Sequence, residues 1–281
     1  MMFPNAHGLA ALEEGVARAW LVPLLATAGS LREMHALLSP SERVRAARFV
    51  FERDRRTFVM SHAALRGILA GCSGMRPEAL RFRREARGKP YLIDAPAGLQ
   101  FNLSHCEGFC LVGVVRGPAI GVDVERIRPM DDMAALTREC FSAAEQREFA
   151  AVPATDRERA FFNGWTRKEA FIKAVGDGLS YPLEKFDVTL APGRPPRLTA
   201  IGGSPHAASG WTLDAHAPAT DAMAAVAIAA PGYAVRWHTL AVDSGRTEAE
   251  ELHDYRGTRR HDHVSRRDES RGTVFNLGGR P

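Results

Sequence analysis

The spacing of apolar and polar positions in the first third of the chain predicts two successive helices. Ser39-Pro40-Ser41-Glu42 combines an N-cap serine, a proline at the first helical position and a glutamate at the third, a pattern that predicts a helix start. After a break near Phe51, residues 53–69 place leucine and isoleucine side chains on one inner face. This part of the chain is therefore expected to be helical.

From Leu80 onward the pattern changes to short apolar runs. Turn residues divide these runs, as at Gly88-Lys89-Pro90 and Gly117-Pro118. The runs predict strands over residues 91–93, 100–103, 109–115 and 120–124. Because only a short loop separates the last two runs, they are expected to form an antiparallel hairpin.

Helices followed by strands return in the second half of the chain. Ser142-x-x-Glu145 and Thr155-x-x-Glu158 match capping boxes, and the second box predicts a helix that runs to about Val175, where Gly176 can end it. Further strands are predicted over residues 186–190, 211–214, 224–229 and 235–239. The repeated order indicates an α+β fold made of two halves.

These patterns divide the chain into three predicted parts. An N-terminal α+β half covers residues 1–118, a C-terminal α+β half covers residues 119–243, and a tail covers residues 244–281. The tail alternates Arg, Asp, Glu, Gly and His without a periodic apolar face. It is therefore predicted to be disordered.

Composition and charge exclude some classes of protein. With 281 residues, of which 45% are hydrophobic and 25% are charged, the chain has the composition of a globular protein. A formal charge of +4 favours an anionic ligand or an acidic partner and is too small to indicate nucleic-acid binding. The cysteines form no CxxC pair, and no secretory signal or membrane-length apolar run is present. A cytoplasmic protein without a membrane span is expected.

Two carboxylates alternate with apolar residues over residues 120–125, at the last of the four strands predicted after Leu80. A period of two places Ile120, Val122 and Val124 on one face and Asp123 and Glu125 on the other. A buried pair of carboxylates needs a cation or basic partners, whereas a pair on an exposed edge strand simply faces solvent. The hexapeptide alone leaves both interpretations open.

The long helix of the second half supplies a third carboxylate. Glu169 and Lys173 stand four residues apart, beside an apolar stripe that contains Phe161, Trp165 and Ile172. A few carboxylates, completed by water and phosphate oxygens, form the ligand set that Mg²⁺ prefers. An ordinary surface ion pair between the glutamate and the lysine is the alternative.

Polar residues near turns offer contacts to an anion. Ser104-His105 follows the strand at residues 100–103, and Lys89 lies on a tight turn. The Ser-His step lacks an aspartate partner and the glycines of a nucleophile elbow, which argues against a hydrolase triad. The chain also contains no P-loop and no dinucleotide-binding fingerprint.

In their order along the chain, these motifs resemble the Sfp-type 4′-phosphopantetheinyl transferase family. The similarity covers roughly residues 38–230. The matching motifs are Gly88-Lys89-Pro90, Phe101-Asn102-x-Ser104-His105, Ile120-Gly121-Val122-Asp123-Val124-Glu125, Trp165-Thr166-Arg167-Lys168-Glu169-Ala170-Phe171-Ile172-Lys173 and Gly176-x-Gly178-Leu179. The resemblance implies two similar α+β halves related by pseudo-twofold symmetry, with coenzyme A and Mg²⁺ in the cleft between them.

The resemblance also implies roles for single residues. Asp123, Glu125 and Glu169 match the family's metal ligands. Glu169 and Lys173 are the candidate catalytic residues, with Glu169 taking the serine proton directly or through a metal-bound water. The residues expected to contact coenzyme A are Arg45, Arg48 and Arg56 at the 3′-phosphate, Lys89 near the adenine, Ser104 and His105 at the nucleotide phosphates, and Lys168 and Lys173 around the pyrophosphate.

The implied activity is transfer of the 4′-phosphopantetheine arm of coenzyme A to a serine of an apo acyl or peptidyl carrier protein, with release of 3′,5′-adenosine bisphosphate. The expected enzyme is a Mg²⁺-dependent monomer without nucleic-acid or membrane partners. Carrier proteins are typically acidic around the modified serine, so the arginines are expected to steer docking. A Mg²⁺-dependent phosphohydrolase or nuclease, and a non-catalytic coenzyme A-binding protein, are the alternatives.

Overall fold

A computed structural model describes residues 12–176, 178 and 181–240 of the chain. The predicted tail at 244–281 therefore lies outside the described residues. The helices and strands of the N-terminal half are β1 (Val16–Pro23), α1 (Ala28–Leu37), α2 (Pro40–Ala46), α3 (Glu52–Ser73), β2 (Phe82–Arg84), β3 (Pro90–Leu92), β4 (Leu99–Cys106) and β5 (Phe109–Arg116).

The C-terminal half repeats this order. Its elements are β6 (Ile120–Arg126), α4 (Met133–Cys140), α5 (Ala143–Ala150), α6 (Arg157–Val175), β7 (Phe186–Val188), β8 (Leu198–Ile201), α7 (Pro205–Ala208), β9 (Thr212–Ala219), β10 (Ala222–Ile228) and β11 (Ala234–Thr239). The predicted α+β class with two similar halves is confirmed. The predicted boundary at residue 118 falls in the turn between β5 and β6.

The strand order of the two main sheets makes the duplication visible. One sheet has the order β11-β1-β5-β4 and the other has the order β6-β10-β9. In each half the first strand pairs antiparallel with the second strand of a terminal hairpin, β1 with β5 and β6 with β10. The last strand, β11, returns to the first sheet and pairs parallel with β1. The two halves are thus joined by a strand as well as by packing.

Alternating side chains bury both faces of the sheets. One face of the first sheet packs against α1 and α3, while the opposite face packs against the second sheet through Ala19, Leu21, Leu111, Val122 and Val226. The outer face of the second sheet packs against α6. The molecule therefore has four layers, helix, sheet, sheet and helix, with an apolar core shared by the two halves.

Two glycines set how closely these layers approach each other. A Cβ on Gly113 of β5 would lie 2.4 Å from Val122 Cγ1 on β6. A Cβ on Gly121 of β6 would lie 2.1 Å from the Ala170 carbonyl oxygen and 2.2 Å from the Ala174 nitrogen, both in α6. Strand β6 is therefore held between β5 on one side and the backbone of α6 on the other.

Two local predictions are wrong. The segments at 109–115 and 120–124 do not form a hairpin, because β5 pairs with β4 and β1 whereas β6 pairs with β10 in the other sheet. Thr155 does not cap α6, because residues 154–156 form a short 3₁₀ turn and the helix begins at Arg157 without a side-chain cap. The capping boxes at Ser39 and Ser142 are confirmed, as is the left-handed Gly176 that ends α6.

Candidate active site

Strand β6 carries the two alternating carboxylates into the interior. Val122 and Val124 face the other sheet, as the period of two predicts. Asp123 and Glu125 lie on the face turned toward α6 and are buried. The interpretation as a solvent-facing edge strand is therefore wrong, and both carboxylates need a compensating charge.

Helix α6 brings Lys173 against Asp123. The Lys173 ammonium lies 2.6 Å from Asp123 Oδ1 and also donates a hydrogen bond to Ser104 Oγ at 3.0 Å. Ser104 Oγ in turn donates to Asp123 Oδ1 at 2.9 Å. Three elements, β4 of the N-terminal half and β6 and α6 of the C-terminal half, therefore meet at one point. We call Ser104, Asp123, Glu125, Glu169 and Lys173 the Asp123 cluster.

The charges of the cluster are strongly coupled. Burial and the neighbouring Asp123 raise the pKa of Glu125 to about 8. Burial raises the pKa of Glu169 to about 7, although Lys173 opposes the change. Burial alone would lower the pKa of Lys173, but Asp123, Glu169 and Glu125 outweigh it and raise that pKa. The cluster thus contains three carboxyl groups that can carry negative charge, and Lys173 neutralises only one such charge.

The donor set fits a hard divalent cation such as Mg²⁺. Asp123 Oδ2 is buried and has no hydrogen-bond partner, so one carboxylate oxygen is left for a further ligand. All the candidate ligands are carboxylate oxygens, which Mg²⁺ prefers. Among the described residues, no three acidic, histidine or cysteine side chains converge closely enough to enclose a metal ion. Lys173 occupies the other oxygen of Asp123 instead.

The cluster lies in a recess that solvent can reach. The side chain of Lys173 retains 30% of its exposure although protein surrounds it on most sides. His105, next to Ser104 on β4, is exposed, yet the surrounding protein together with Lys173, His62 and Arg45 lowers its pKa to about 4. The imidazole is therefore neutral at physiological pH.

His62 is a residue of this recess that the sequence did not single out. Its ring packs against Phe58 at a tilt of 31° with the centroids 4.0 Å apart, and Nδ1 lies 3.0 Å from Glu42 Oε1. Glu42 also accepts a hydrogen bond from Arg66. In the sequence, His62 is one polar residue within a predicted helix and belongs to no motif. Only the tertiary fold places α3 beside β4.

Lys89 and Asn102 tie β6 to the N-terminal half. Lys89 donates hydrogen bonds to the carbonyl oxygens of Ile120 at 3.1 Å and Ala174 at 3.0 Å. Asn102 Oδ1 accepts a hydrogen bond from the Val122 amide at 2.9 Å. Because β6 is the edge strand of its sheet, these side chains satisfy backbone groups that no strand pairs. They fix the strand that carries Asp123 relative to Ser104.

Lys168 is not brought to the cluster, contrary to its expected place beside the pyrophosphate. Its side chain is fully buried and its ammonium lies 2.8 Å from Glu145 Oε2. The same ammonium donates to the carbonyl oxygens of Leu183 and Phe186. These partners use all three donors of the lysine, so none is left for a ligand.

The three arginines predicted at the 3′-phosphate lie on or near α2 and α3. Arg45 and Arg48 are exposed, and the Arg45 guanidinium lies over the Phe58 ring. Arg56 donates a hydrogen bond to the Ala26 carbonyl oxygen. The positive charge of Arg45 also contributes to the lowered pKa of His105.

None of the described helices is both long and apolar enough to cross a membrane. The expectation that the protein has no membrane partner stays a prediction.

Models of known families match both halves of the chain. The model of the 4′-phosphopantetheinyl transferase superfamily matches residues 119–228, and the model of the 4′-phosphopantetheinyl transferase N-terminal domain matches residues 26–115. Together the two models cover more than half of the sequence and meet at the junction between β5 and β6.

Curated relatives agree with these matches. The chain is 36% identical to the 4′-phosphopantetheinyl transferase HetI of Nostoc sp. over 84% of its own length and 97% of the relative. It is 35% identical to the 4′-phosphopantetheinyl transferase psf-1 of Bacillus pumilus over 57% of its length and 67% of the relative. It is 28% identical to the 4′-phosphopantetheinyl transferase Sfp of Bacillus subtilis over 55% of its length and 67% of the relative.

Proposed function

Because the chain belongs to the 4′-phosphopantetheinyl transferase superfamily, we propose that its Asp123 cluster transfers the 4′-phosphopantetheine arm of coenzyme A to a serine of an acyl or peptidyl carrier protein. The observation that carries this proposal is the meeting of Ser104, Asp123 and Lys173 between the two halves, with Asp123 Oδ2 buried and unpartnered beside them. That arrangement suits a pyrophosphate with its counter-cation.

The reaction forms one P–O bond and breaks another. The serine oxygen of the carrier attacks the β-phosphorus of coenzyme A, and the bond from that phosphorus to the bridging oxygen of the pyrophosphate breaks. The leaving group is 3′,5′-adenosine bisphosphate, and the serine proton must go to a base. Such phosphoryl transfers depend on positioning and on stabilisation of charge.

The residues of the cluster divide these tasks. Lys173 offsets the charge that develops on the leaving group. His105 donates a hydrogen bond to a phosphate oxygen, and Ser104 does the same once its hydroxyl turns away from Asp123 Oδ1. Glu169 is the proposed acceptor of the serine proton, which it takes directly or through a water molecule. Asp123, Glu125 and Glu169 are the proposed ligands of a Mg²⁺ ion, which stabilises the pyrophosphate charge when bound.

Both sides of the cluster come from one chain, so a monomer is expected to be active. Arg45, Arg48 and Arg56 are proposed to bind the 3′-phosphate, and Lys89 is proposed to lie near the adenine. Lys168 has no part in this proposal, because Glu145 and two carbonyl oxygens hold its ammonium.

The test is transfer to an apo carrier protein. We expect the carrier to gain the mass of phosphopantetheine when it is incubated with the enzyme, coenzyme A and MgCl₂, and to gain nothing when a chelator replaces MgCl₂. Asp123→Asn should lower kcat by at least about 100-fold without loss of fold. Asp214→Asn is the matched control, since Asp214 lies on β9 and bonds Trp237 outside the cluster.

Absence of the adduct with fatty-acid, polyketide and peptide-synthetase carriers alike would overturn the proposal. Cleavage of nucleic acid or of coenzyme A without transfer would favour a phosphohydrolase, and binding of coenzyme A without any turnover would favour a non-catalytic protein. Full activity of Asp123→Asn would contradict the proposed metal ligands. The proposed transferase activity would still stand.

A further inference from the structure

Exposed apolar side chains are concentrated in one short segment. Among the described residues, the large hydrophobic side chains that are exposed are Val44 at 55%, Val50 at 87%, Phe51 at 67% and Tyr91 at 40%. Val44 lies on α2, and Val50 and Phe51 lie in the turn between α2 and α3. Apolar groups that cluster on a surface commonly mark a site of contact with another molecule.

Phe51 occupies a position at which a polar residue would stabilise the fold. It is the N-cap of α3, and no side chain caps this helix. Serine, threonine, aspartate or asparagine at an N-cap contributes about 1 kcal/mol to helix stability. The chain forgoes this contribution and presents an aromatic ring to solvent, which indicates that the ring has another use.

Arginines surround these apolar side chains. The exposed arginines of the segment are Arg43, Arg45, Arg48, Arg53 and Arg55. Two acidic residues lie in the same stretch: Glu52 pairs with Arg55, and Asp54 lies 3.6 Å from Arg53. With five arginines and two acidic residues, residues 43–55 keep a formal net charge of +3. Glu42 points inward to His62 and Arg66. We call residues 43–55 the arginine patch.

The arginine patch borders the recess of the Asp123 cluster. The Arg45 guanidinium lies 5.1 Å from the centre of the Phe58 ring, and that ring packs against His62 with the centroids 4.0 Å apart. Consistent with this placement, Arg45 and His62 both lower the pKa of His105. His105 follows Ser104 directly, and Ser104 bonds Asp123. A protein that docks on the patch would therefore lie beside the reacting phosphates.

We propose that the arginine patch docks the carrier protein, through a carrier surface in which acidic residues surround exposed apolar side chains. This inference rests on the proposed function and names the surface that selects its protein substrate. Phenylalanine and arginine are enriched at protein interfaces, and apolar anchors supply most of the affinity while opposite charges speed association. Val50 and Phe51 are the anchors. Arg43, Arg53 and Arg55, which have no role in the proposed coenzyme A site, select an acidic partner.

The primary test separates the two substrates. The double variant Val50→Ser/Phe51→Ser should raise KM for the carrier at least fivefold at saturating coenzyme A. Its KM for coenzyme A at saturating carrier, and its kcat, should stay within twofold of the wild-type values. Tyr91→Ser is the matched control, because Tyr91 is an exposed large side chain on β3 outside the patch. It should leave both KM values unchanged.

A charge variant tests the partner's chemistry. Arg53→Glu reverses an exposed charge that has no role in the proposed coenzyme A site. Binding of a serine-to-alanine carrier, measured by calorimetry in the absence of turnover, should weaken at least threefold in this variant. The binding of the wild-type enzyme should weaken more steeply with added salt than that of Arg53→Glu.

An unchanged carrier KM in Val50→Ser/Phe51→Ser would overturn the docking proposal. So would an equal rise in both KM values, which would place the patch in coenzyme A binding. A change in the sedimenting mass of the enzyme with no change in carrier KM would identify the patch as a contact between copies of this chain. Absence of transfer by the wild-type enzyme would instead refute the proposed function itself.

Discussion

Lys168 and Lys173 lie on the same helix and have different surroundings. Lys168 is fully buried with Glu145, whose own pKa is raised mainly by burial, and it contacts only protein atoms. Lys173 retains 30% exposure of its side chain and joins Ser104 to Asp123 across the two halves. The first lysine is therefore placed to hold α6 against its neighbours, and the second is placed to act on a ligand.

Substitution by methionine should separate these two roles. Lys168→Met leaves the Glu145 carboxylate buried without its partner, so we expect a loss of about 3–5 kcal/mol in the free energy of unfolding. Lys173→Met should lower kcat by about 100-fold. It also removes the partner of buried Asp123, but solvent reaches this lysine, so we expect a smaller loss of stability than in Lys168→Met. Urea unfolding and steady-state transfer kinetics measure the two effects, and equal losses of stability would contradict the assignment.

The contacts of Glu42 explain why this acidic residue lies within the basic α2 region. Its side chain accepts a hydrogen bond from the amide of the N-cap residue Ser39 and also binds His62 and Arg66. Burial raises its pKa, but these hydrogen bonds outweigh burial and hold the pKa at about 2. The carboxylate is therefore a structural anion that fixes α2 to α3 and leaves the surrounding arginines to face solvent.

The lowered pKa of Glu42 predicts a pH dependence of stability. Because the folded pKa lies below the unfolded value of 4.5, the contribution is complete above pH 4.5 and is lost as pH falls toward 2. The shift corresponds to about 3 kcal/mol in the free energy of unfolding. The stability difference between wild type and Glu42→Gln, measured by urea unfolding, should shrink over this range. A constant difference from pH 7 to pH 2 would show that the charge of Glu42 contributes nothing.

At the scale of elements, the contact between β6 and α6 sets the geometry of the candidate site. Gly121 is the position where the two backbones meet, and the carboxylates of β6 face Glu169 and Lys173 of α6 because of that contact. Lys89 bonds both elements at once, through Ile120 and Ala174. The distance between strand and helix is thereby fixed at the ends that lie nearest the cluster.

Gly121→Ala should displace α6 from β6. A Cβ at this position would meet backbone atoms at 2.1 and 2.2 Å, and backbone cannot move aside as a flexible side chain can. We expect a loss of about 1–3 kcal/mol in stability and, in addition, a fall in kcat, because Lys173 moves relative to Asp123. Thermal unfolding and transfer kinetics measure these changes. Gly210→Ala, where the nearest atom is 3.6 Å away, is the control and should leave both unchanged.

At the scale of the whole molecule, the two halves share one apolar core. Side chains of β1 and β5 pack between those of β6 and β10, and β11 completes the sheet of the N-terminal half. Separating the halves would expose this entire surface to water, which costs free energy in proportion to the apolar area. The halves are therefore expected to unfold together although each repeats the same topology.

Val226→Ala tests this coupling. Val226 lies on β10 and packs in the shared core, so its truncation should cost roughly 2 kcal/mol. In native-state hydrogen exchange, peptides from β5 should lose as much protection as peptides from β10. Loss of protection confined to the C-terminal half would mean that the halves unfold independently.

Local patterns in the sequence were sufficient for most helices and strands and for the orientation of the carboxylates. The capping boxes at Ser39 and Ser142, the αL glycine at 176 and the period of two in β6 each depend only on neighbouring residues. β1 was missed because it is a continuous apolar run, buried on both faces, which shows no alternation. Such a run cannot be told from a buried helix by its period.

The order of motifs along the chain also indicated the family by resemblance, because motifs of distinctive composition can be recognised without any knowledge of their contacts. What the sequence determined by itself was therefore the two-part α+β class, the transferase family and the set of acidic and basic residues from which a phosphate site could be built. The fold class and the residue set follow from residue type and spacing, and the family follows from the resemblance of the ordered motifs.

Only the tertiary structure decided how those residues are used. It separated Lys168 from Lys173, joined Lys89 to the backbone of β6 and α6, paired His62 with Glu42, and paired β6 with β10 rather than with β5. These contacts join segments that are far apart in sequence. Their partners are chosen by packing between layers and by the need to satisfy buried charges and backbone groups, which no local spacing encodes.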